Sequence, residues 1–525
     1  MKSVSNGKKL ISHHNFMFAF RFDKIKTCFN DRHQYYKEHT FDERVVLDTK
    51  FASDMRESGW IYEKFKVNSH LDYNEMVYFY DFVKDSLFNT QDFDKNATSY
   101  YFSKKLKNNS KYIINISKTP YREAKRYELE ITSIILRVFD TGVAILSFEL
   151  ENYQYKELQD ILNINEFGRR LYPEFLGEEF SIQDTKKAFL ADSIEVCGIK
   201  DNFINSYYSS EIKLARYILE ILGESFTTTK SQEGRYLIQP ILDDRMYVMC
   251  WYGSDCFSNQ LKNSYQDNYY HNKERNRDFD KWYDAWYKFV YLDAGDKMVQ
   301  DESMESELLK KASYTRWKGY GTFYGITRYS FVCLTNQEYF GTQIISKHMQ
   351  SIYFQMMTLI LAQRASILRF SDEITAISDI DNEREIPQKI SNLYKNYLRF
   401  KNKLYFKEVT PQEQGIELYD KAREIMRIDS DIQDLSVEIG LLNNYAFVLE
   451  EKEEKEQMNK LTKLGTIFLP GTFIAGIFGM NVFPDDLINN LLSLLVVSGV
   501  IVGLTVYISK INDISIKEFF TKEKK

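Results

Sequence analysis

Two long uncharged stretches near the carboxyl end constrain this chain most. Residues 464–483 read LGTIFLPGTFIAGIFGMNVF, residues 487–509 read LINNLLSLLVVSGVIVGLTVYIS, and neither contains a charged side chain. A bilayer core about 30 Å thick needs roughly 20 helical residues, so each stretch is long enough to cross it. Only residues 484–486 separate the two, which predicts an antiparallel hairpin of transmembrane helices. The alternative, a hairpin inside a soluble protein, would require two helices that are apolar all round.

Basic residues on both sides of the two stretches predict their orientation. Lysines flank them at positions 452, 455, 460 and 463 and again at 510, 517, 522, 524 and 525. The loop at 484–486 has no Lys or Arg. Because basic residues collect in cytoplasmic flanks, both termini, including the basic tail 510–525, are expected in the cytoplasm. The amino terminus builds no uninterrupted apolar run, so no signal peptide is predicted, and five scattered cysteines indicate a reducing compartment.

Small and polar residues recur on one face of the first stretch. Leu461, Gly465, Leu469, Thr472 and Gly476 follow one another at steps of three or four residues, which keeps them on one side of a helix. Two spans per chain cannot enclose an aqueous path, so a pore would need several copies around an axis. This face would then line the pore. The glycines could equally serve close helix packing, and the sequence leaves both roles open.

The string TIFLPGTFIAGIFGMN, from Thr466 to Asn481, resembles the first transmembrane helix of the CorA/Mrs2 divalent-cation channels. The resemblance implies a funnel-shaped homopentamer in a bacterial plasma membrane, with Mg²⁺ as the transported ion. It implies a selectivity filter at the outer mouth, formed by Gly479, Met480 and Asn481. It also implies that Met458, Leu461 and Leu469 form apolar constrictions of the pore and that Thr472 is a polar position in it. Gly465 is counted among the pore-lining residues. The aromatic residue before the filter is Phe478, where the family usually has tyrosine.

The chemistry of these residues suits a hydrated cation. Mg²⁺ gives up its water reluctantly and is usually held partly hydrated. A ring of Asn481 carboxamides can accept hydrogen bonds from the water shell, which makes Asn481 the candidate metal-contacting residue. Backbone carbonyls of Gly479 and Met480 could add acceptors. Asp485 and Asp486, repeated around a ring, would concentrate cations at the mouth, although ordinary solvation of the loop explains them equally well.

A long helical segment is predicted immediately before the first span, over residues 411–463. Its apolar residues recur at alternating steps of three and four from Leu418 to Leu449, close to the repeat of a coiled-coil seam. Thirteen acidic and five basic residues lie between Glu413 and Gln457. An acidic interior could collect Mg²⁺ as a regulatory ion, and a solvated helix face is the alternative. CorA-like channels have such a stalk helix, so the resemblance extends back to about residue 410.

Residues 1–340 alternate strand and helix signals and predict a mixed α+β cytosolic domain, followed by a helical connector at 341–410. Three hairpins are predicted, turning at Asp140-Thr141-Gly142, at Asp243-Asp244 and within YGTFYGITRYSFVCLT. No HExxH, P-loop or GxGxxG motif occurs, which argues against an enzyme. Arg169 and Arg170 could bind a phosphate, and a solvated helix end is the alternative.

The size of the amino-terminal part separates this chain from an ordinary CorA protein. About 410 residues precede the stalk. Enlarged CorA-like proteins occur beside type III CRISPR systems, where they are implicated as membrane effectors that answer a nucleotide second messenger, and this chain resembles them in layout. An ordinary Mg²⁺-regulated Mg²⁺/Co²⁺ uptake transporter and a membrane-anchored enzyme are the alternatives. The mildly acidic charge, 69 basic against 75 acidic residues, does not favour nucleic-acid binding.

Overall fold

The computed structural model describes most of the chain. The described residues are 9–29, 38–45, 47–90, 93, 97–118, 122–171, 190–199, 204–206, 214–229, 235–270, 277–378, 380, 383, 385–479, 499, 500, 503 and 507. The strands are β1 (Ser12–Phe29), β2 (Glu38–Arg44), β3 (Trp60–Tyr62), β4 (Ser99–Lys104), β5 (Lys111–Ile116), β6 (Lys125–Phe139), β7 (Val143–Asn152), β8 (Ser193–Cys197), β9 (Ile204–Ser206), β10 (Phe226–Thr227), β11 (Tyr236–Pro240), β12 (Tyr247–Gly253), β13 (Ser313–Tyr314), β14 (Phe323–Ile326) and β15 (Ser330–Thr335). The helices are α1 (Thr49–Glu57), α2 (His70–Val77), α3 (Asp81–Leu87), α4 (Leu158–Gly168), α5 (Arg216–Leu222), α6 (Asp255–Tyr270), α7 (Arg277–Tyr291), α8 (Glu302–Ala312), α9 (Ser346–Gln350), α10 (Ile352–Ser378), α11 (Ile386–Lys403), α12 (Glu413–Ile425) and α13 (Ile428–Gly479).

The described strands form one sheet whose central strand is β1. The main path of the sheet runs β13-β14-β15-β12-β1-β7-β6-β5-β8-β9. The phenylalanines at alternate positions Phe16, Phe18, Phe20 and Phe22 are each at most 1% exposed, as expected where one face of a strand packs against the core. Helices and the sheet lie in the same amino-terminal region, so the predicted mixed α+β class is confirmed.

Two of the three predicted hairpins are present. Strands β6 and β7 pair around Gly142, whose φ of 78° lies in the left-handed region that favours glycine. Strands β14 and β15 pair as the third prediction requires. The prediction of a hairpin turning at Asp243-Asp244 is wrong. Strands β11 and β12 both pair with β1, at its positions 20–24 and 12–17, so the chain continues along β1 and does not fold back on itself.

A buried ionic network attaches α10 to the sheet. Arg369, only 2% exposed, donates from Nη2 to Oδ1 of Asp23 at 2.5 Å and from Nε to Oε1 of Glu373 at 2.8 Å. Its Nη1 donates to the backbone carbonyls of Phe22 and Gly142. A Cβ atom on Gly142 would lie 2.6 Å from this nitrogen, so the turn glycine also makes room for the arginine. The network therefore fixes the first long helix of the connector on the turn between β6 and β7.

The chain divides into two compact units. The first comprises Met1–Ala376 and Lys395–Val437, and it contains the sheet. The second comprises Ile377–Tyr394 and Glu438–Lys525. Within the second unit, Ile390, Leu393 and Ile439 are at most 3% exposed. Lys452 forms an ion pair with Glu383 in the same unit, at 2.9 Å.

The segment predicted as one stalk helix from residue 411 is two helices. Helix α12 ends at Ile425 and α13 begins at Ile428, with Arg427 between them at a φ of 58°. A residue with positive φ interrupts the regular helical backbone, so the stalk begins at α13. The predicted apolar stripe lies on the helices as expected, but its members Leu418, Ala422, Ile428, Ile432, Leu435, Ile439 and Ala446 are buried within the single chain.

Candidate functional site

The predicted pore face lies on the carboxyl-terminal half of α13. Met458 and Leu461 are each 64% exposed and Leu469 is 69% exposed. Gly465 and Thr472 are exposed on the same helix. Their spacing of three and four residues places all five on one side. The structure therefore brings the predicted pore residues together, and no other described part of the chain covers them.

Thr472 and the glycines of this face have specific local geometry. The Thr472 hydroxyl donates to the carbonyls of Phe468, at 3.1 Å, and Leu469, at 3.0 Å. Because its proton is engaged by the helix, the hydroxyl oxygen is left to act as an acceptor, the role that the water shell of a cation requires. A Cβ atom added at Gly465 or Gly476 would meet nothing within 4 Å. Close packing within this chain therefore does not require either glycine.

The predicted filter begins where the described helix ends. Gly479 is the last residue of α13. Met480, Asn481, Asp485 and Asp486 lie outside the described residues. Within the described part of the chain, no helix is both long and apolar enough to cross a membrane. In that same part, no group of three or more His, Cys, Asp or Glu side chains could hold a metal ion.

The second candidate site surrounds Arg169 and Arg170 at the end of α4. Each residue is 3% exposed, so the alternative of a solvated helix end is wrong. Arg170 donates from Nη2 to Oε1 of Glu166 at 2.9 Å. The Nε and Nη1 atoms of Arg169 are buried and have no hydrogen-bond partner among the residues that the structure describes. Burial, followed by the charges of Arg245 and Arg170, lowers the pKa of Arg169 to about 10.

Arg245 is the residue of this site that sequence reasoning missed. A bridge between the backbones of Arg170 and Arg245 joins the end of α4 to the segment before β12. The amide of Met246 donates to the carbonyl of Arg169 at 2.8 Å, and the amide of Leu171 to that of Asp244 at 3.1 Å. The only signal in the sequence was the charged string Asp243-Asp244-Arg245, which indicated a turn.

Arg245 already has counterions. Its Nε lies 3.0 Å from Oδ2 of Asp243 and 3.2 Å from Oδ1 of Asp244. Its guanidinium carbon also lies 5.2 Å from the centre of the Tyr329 ring, within the range of a cation–π contact. Arg169 is therefore the member of the cluster whose buried donors are left over.

A third group of polar residues joins β1, β7 and α4 within the core. Nε2 of His14 lies 2.8 Å from the Ser12 hydroxyl, and its Nδ1 lies 2.7 Å from Oδ1 of Asn165. Asn152 donates to Ser12 at 2.8 Å. The order serine, histidine, amide is that of a catalytic triad. All three side chains of that order are 0% exposed and are hydrogen-bonded to one another, so the group is a structural element of the core.

Comparison with known proteins gives a structural match and a family match. The complete structure of the CorA magnesium transporter from Methanocaldococcus jannaschii aligns with 52% of this chain and 94% of its own, at 16% sequence identity and a TM-score of 0.21. No curated protein matches the chain. The family model of the CorA-like Mg²⁺ transporter protein matches residues 335–510, which include all of α10 to α13, the predicted pore face and Gly479-Met480-Asn481. Over these residues, the chain is similar to the CorA-like Mg²⁺ transporter family.

Proposed function

We propose that this protein is a divalent-cation channel of the bacterial plasma membrane that conducts Mg²⁺ through a ring of five copies. Residues 464–483 and 487–509 span the bilayer, and both termini are cytoplasmic. The exposed face of α13 supports this most directly, because its apolar and small residues lead to Gly479 and the filter motif. The whole of that face lies inside the residues that match the family.

Exposed apolar residues earlier on α13 support the assembly of several copies. Leu441, Tyr445 and Val448 follow one another at steps of four and three and are 65%, 45% and 60% exposed. Side chains of this size on one helix face are commonly covered by a partner. A closed ring of identical chains would cover them and would align the pore faces around one axis. Apolar rings at Leu461 and Leu469 would then gate the path by excluding water.

The large amino-terminal unit is proposed to regulate the pore. We infer that it answers an anionic second messenger of the nucleotide class, in the manner of a defence effector, because Arg169 offers buried donors without an acceptor. An ordinary uptake transporter, regulated by Mg²⁺ alone, is the competing function. Flux measured in the presence and absence of nucleotides distinguishes the two, because only the effector changes its conductance when a nucleotide is added.

The pore is tested by cation flux into liposomes that contain the purified protein and an entrapped Mg²⁺ indicator. Asn481→Ala is expected to abolish the flux, because the filter loses the carboxamide that accepts hydrogen bonds from the ion's water. Asn459→Ala is the matched control, since Asn459 is exposed on α13 but lies outside the predicted pore face.

Unchanged flux in Asn481→Ala would show that the filter assignment is incorrect. Equal loss of flux in Asn459→Ala would show that the effect is not specific to the filter. The oligomer is counted by native mass spectrometry in detergent, where five copies are expected and a dimer contradicts the pore.

A further inference from the structure

Among the described arginines of the first unit, Arg169 is the one that leaves two buried donor nitrogens without a hydrogen-bond partner. Arg369 is bonded to two carboxylates, and Arg137 donates from Nη1 to Oε1 of Gln355 at 2.6 Å. Arg169 is 3% exposed, and its Nε and Nη1 find no acceptor among the described residues. Removing a charged group from water without a hydrogen-bond partner is costly. A site that retains such a group is short of an acceptor.

The carboxylates around Arg169 are already engaged. Glu166 accepts from Arg170 through Oε1 and from the amide of Ala294 through Oε2, at 2.9 and 2.6 Å. Asp243 accepts from Arg245 and from the amide of Asp244. Asp293 responds to the charges of the same groups. Burial, followed by the charge of Glu166, raises the pKa of Asp293 to about 6, and the charge of Arg169 opposes this rise. The described residues therefore supply balancing charges to Arg170 and Arg245 but no acceptor to Nε and Nη1 of Arg169.

We propose that Arg169 binds a phosphoryl group. Guanidinium groups donate in a planar fork that matches the oxygens of phosphate. Arg170 has a positioning role, because its backbone bridge to Arg245 holds the two segments together. The binding site stands independently of the pore, and only its coupling to gating rests on the proposed function.

Phosphoryl binding is tested by thermal unfolding of the full chain in detergent. The probes are inorganic phosphate and ATP, with potassium acetate and potassium chloride at the same ionic strength. The wild-type protein is expected to melt at a higher temperature with phosphate or ATP than with acetate or chloride. A shift with phosphate alone identifies the free ion as sufficient, and a shift with ATP alone identifies a nucleotide phosphoryl group. Equal shifts with acetate and phosphate, or no shift with either phosphoryl probe, overturn the proposal.

Arg169→Met is the decisive variant. It should weaken phosphate or ATP binding about tenfold to a hundredfold, since a hydrogen bond to a charged group is lost. Its ligand-free melting temperature should equal or exceed that of the wild type, because an unpaired buried charge has been removed. A purely structural arginine would give the opposite result in the ligand-free protein. Arg169→Lys keeps the positive charge but loses the planar guanidinium. It should retain part of the rise in melting temperature with phosphate or ATP.

Arg137→Met is the matched control for the loss of a buried arginine. Arg137 is 2% exposed, and burial lowers its pKa to about 10, as it does for Arg169. The variant leaves Gln355 without its donor and should therefore melt below the wild type, while its response to phosphate or ATP is unchanged. If Arg169→Met keeps the full ligand response, or if it melts below the wild type without ligand, Arg169 is not the binding residue.

Discussion

The stability of the first unit should depend on pH through His14. The ring is 0% exposed and lies between Ser12 and Asn165. Asn165 accepts from Nδ1, and Nε2 then accepts from the Ser12 hydroxyl, which is the arrangement of a neutral imidazole. Burial lowers the pKa of His14 to about 4, although the hydrogen bond to Asn165 opposes this shift. Protonation of the folded chain is therefore disfavoured.

The sign and size of the effect follow from this pKa. A histidine in the unfolded chain takes up a proton near pH 6.5, whereas His14 in the folded chain does so near pH 4. Between these values the unfolded state binds more protons, so the free energy of unfolding falls as the pH falls. The contribution is complete above about pH 6.5 and is lost by about pH 4. At about 1.4 kcal/mol per pH unit, the loss is about 3 kcal/mol.

The measurement is the melting temperature of the full chain between pH 7.5 and 4, followed through the buried indoles of Trp60, Trp251 and Trp286. An unfolding entropy of about 2.1 cal/mol/K per residue over roughly 400 residues converts about 3 kcal/mol into about 4 °C. Because carboxylates also titrate in this range, the quantity of interest is the difference between variants. His14→Gln should lose about 4 °C less than the wild type, and His70→Gln, at an exposed position, should match the wild type. Parallel losses in the wild type and His14→Gln would refute the reasoning.

Two further predictions concern the anchor of α10 and the face of α13. Arg369→Met should destabilise the first unit by about 3–5 kcal/mol, seen as a lower melting temperature, because it removes one partner of a buried ion pair with Asp23. The control Arg316→Met, at an exposed ion pair with Glu417, should leave the melting temperature nearly unchanged. Leu441→Asp should dissociate the oligomer in native mass spectrometry without lowering the helical circular dichroism, because Leu441 is 65% exposed in the single chain. The exposed Gln457→Asp should leave the oligomer intact, and a pentamer that survives Leu441→Asp contradicts the proposed interface.

Local patterns in the sequence predicted the local parts of the sheet. The hairpin of β6 and β7 follows from alternating apolar residues on either side of a turn that contains glycine. The same logic failed at Asp243-Asp244, because the partner of β11 and β12 is β1, more than 200 residues earlier in the chain. A charged pair between two strands can form a hairpin turn, or it can connect two strands that both pair with a third. The position of the third strand decides between these arrangements, and the spacing of residues in the sequence does not reveal that position.

The stalk illustrates a second limit of pattern analysis. Steps of three and four residues correctly predicted which side of each helix is apolar. They did not reveal that the stripe from Leu418 to Ala446 is buried within one chain, nor that Leu441 and Val448 form a separate exposed set. No glycine or proline next to Arg427 marks the interruption of the helix in the sequence. The side of α13 on which the predicted pore residues lie followed from helical spacing alone, and their role in a pore stays a prediction.

The buried arginines show why the candidate ligand site could not be predicted in full. In the sequence, Arg137, Arg169 and Arg369 are three of 69 basic residues, and nothing in their neighbours separates them. The fold gives Arg369 the distant carboxylate of Asp23 from β1, in addition to Glu373 one turn later on its own helix, and it gives Arg137 a distant amide oxygen from α10. Within the described residues it gives Nε and Nη1 of Arg169 no acceptor, while it pairs the adjacent Arg170 with Glu166 one helical turn earlier. Other buried arginines of the described chain leave at most the Nε atom without an acceptor, whereas Arg169 leaves both Nε and Nη1. An acceptor from outside the chain is the simplest explanation of this difference.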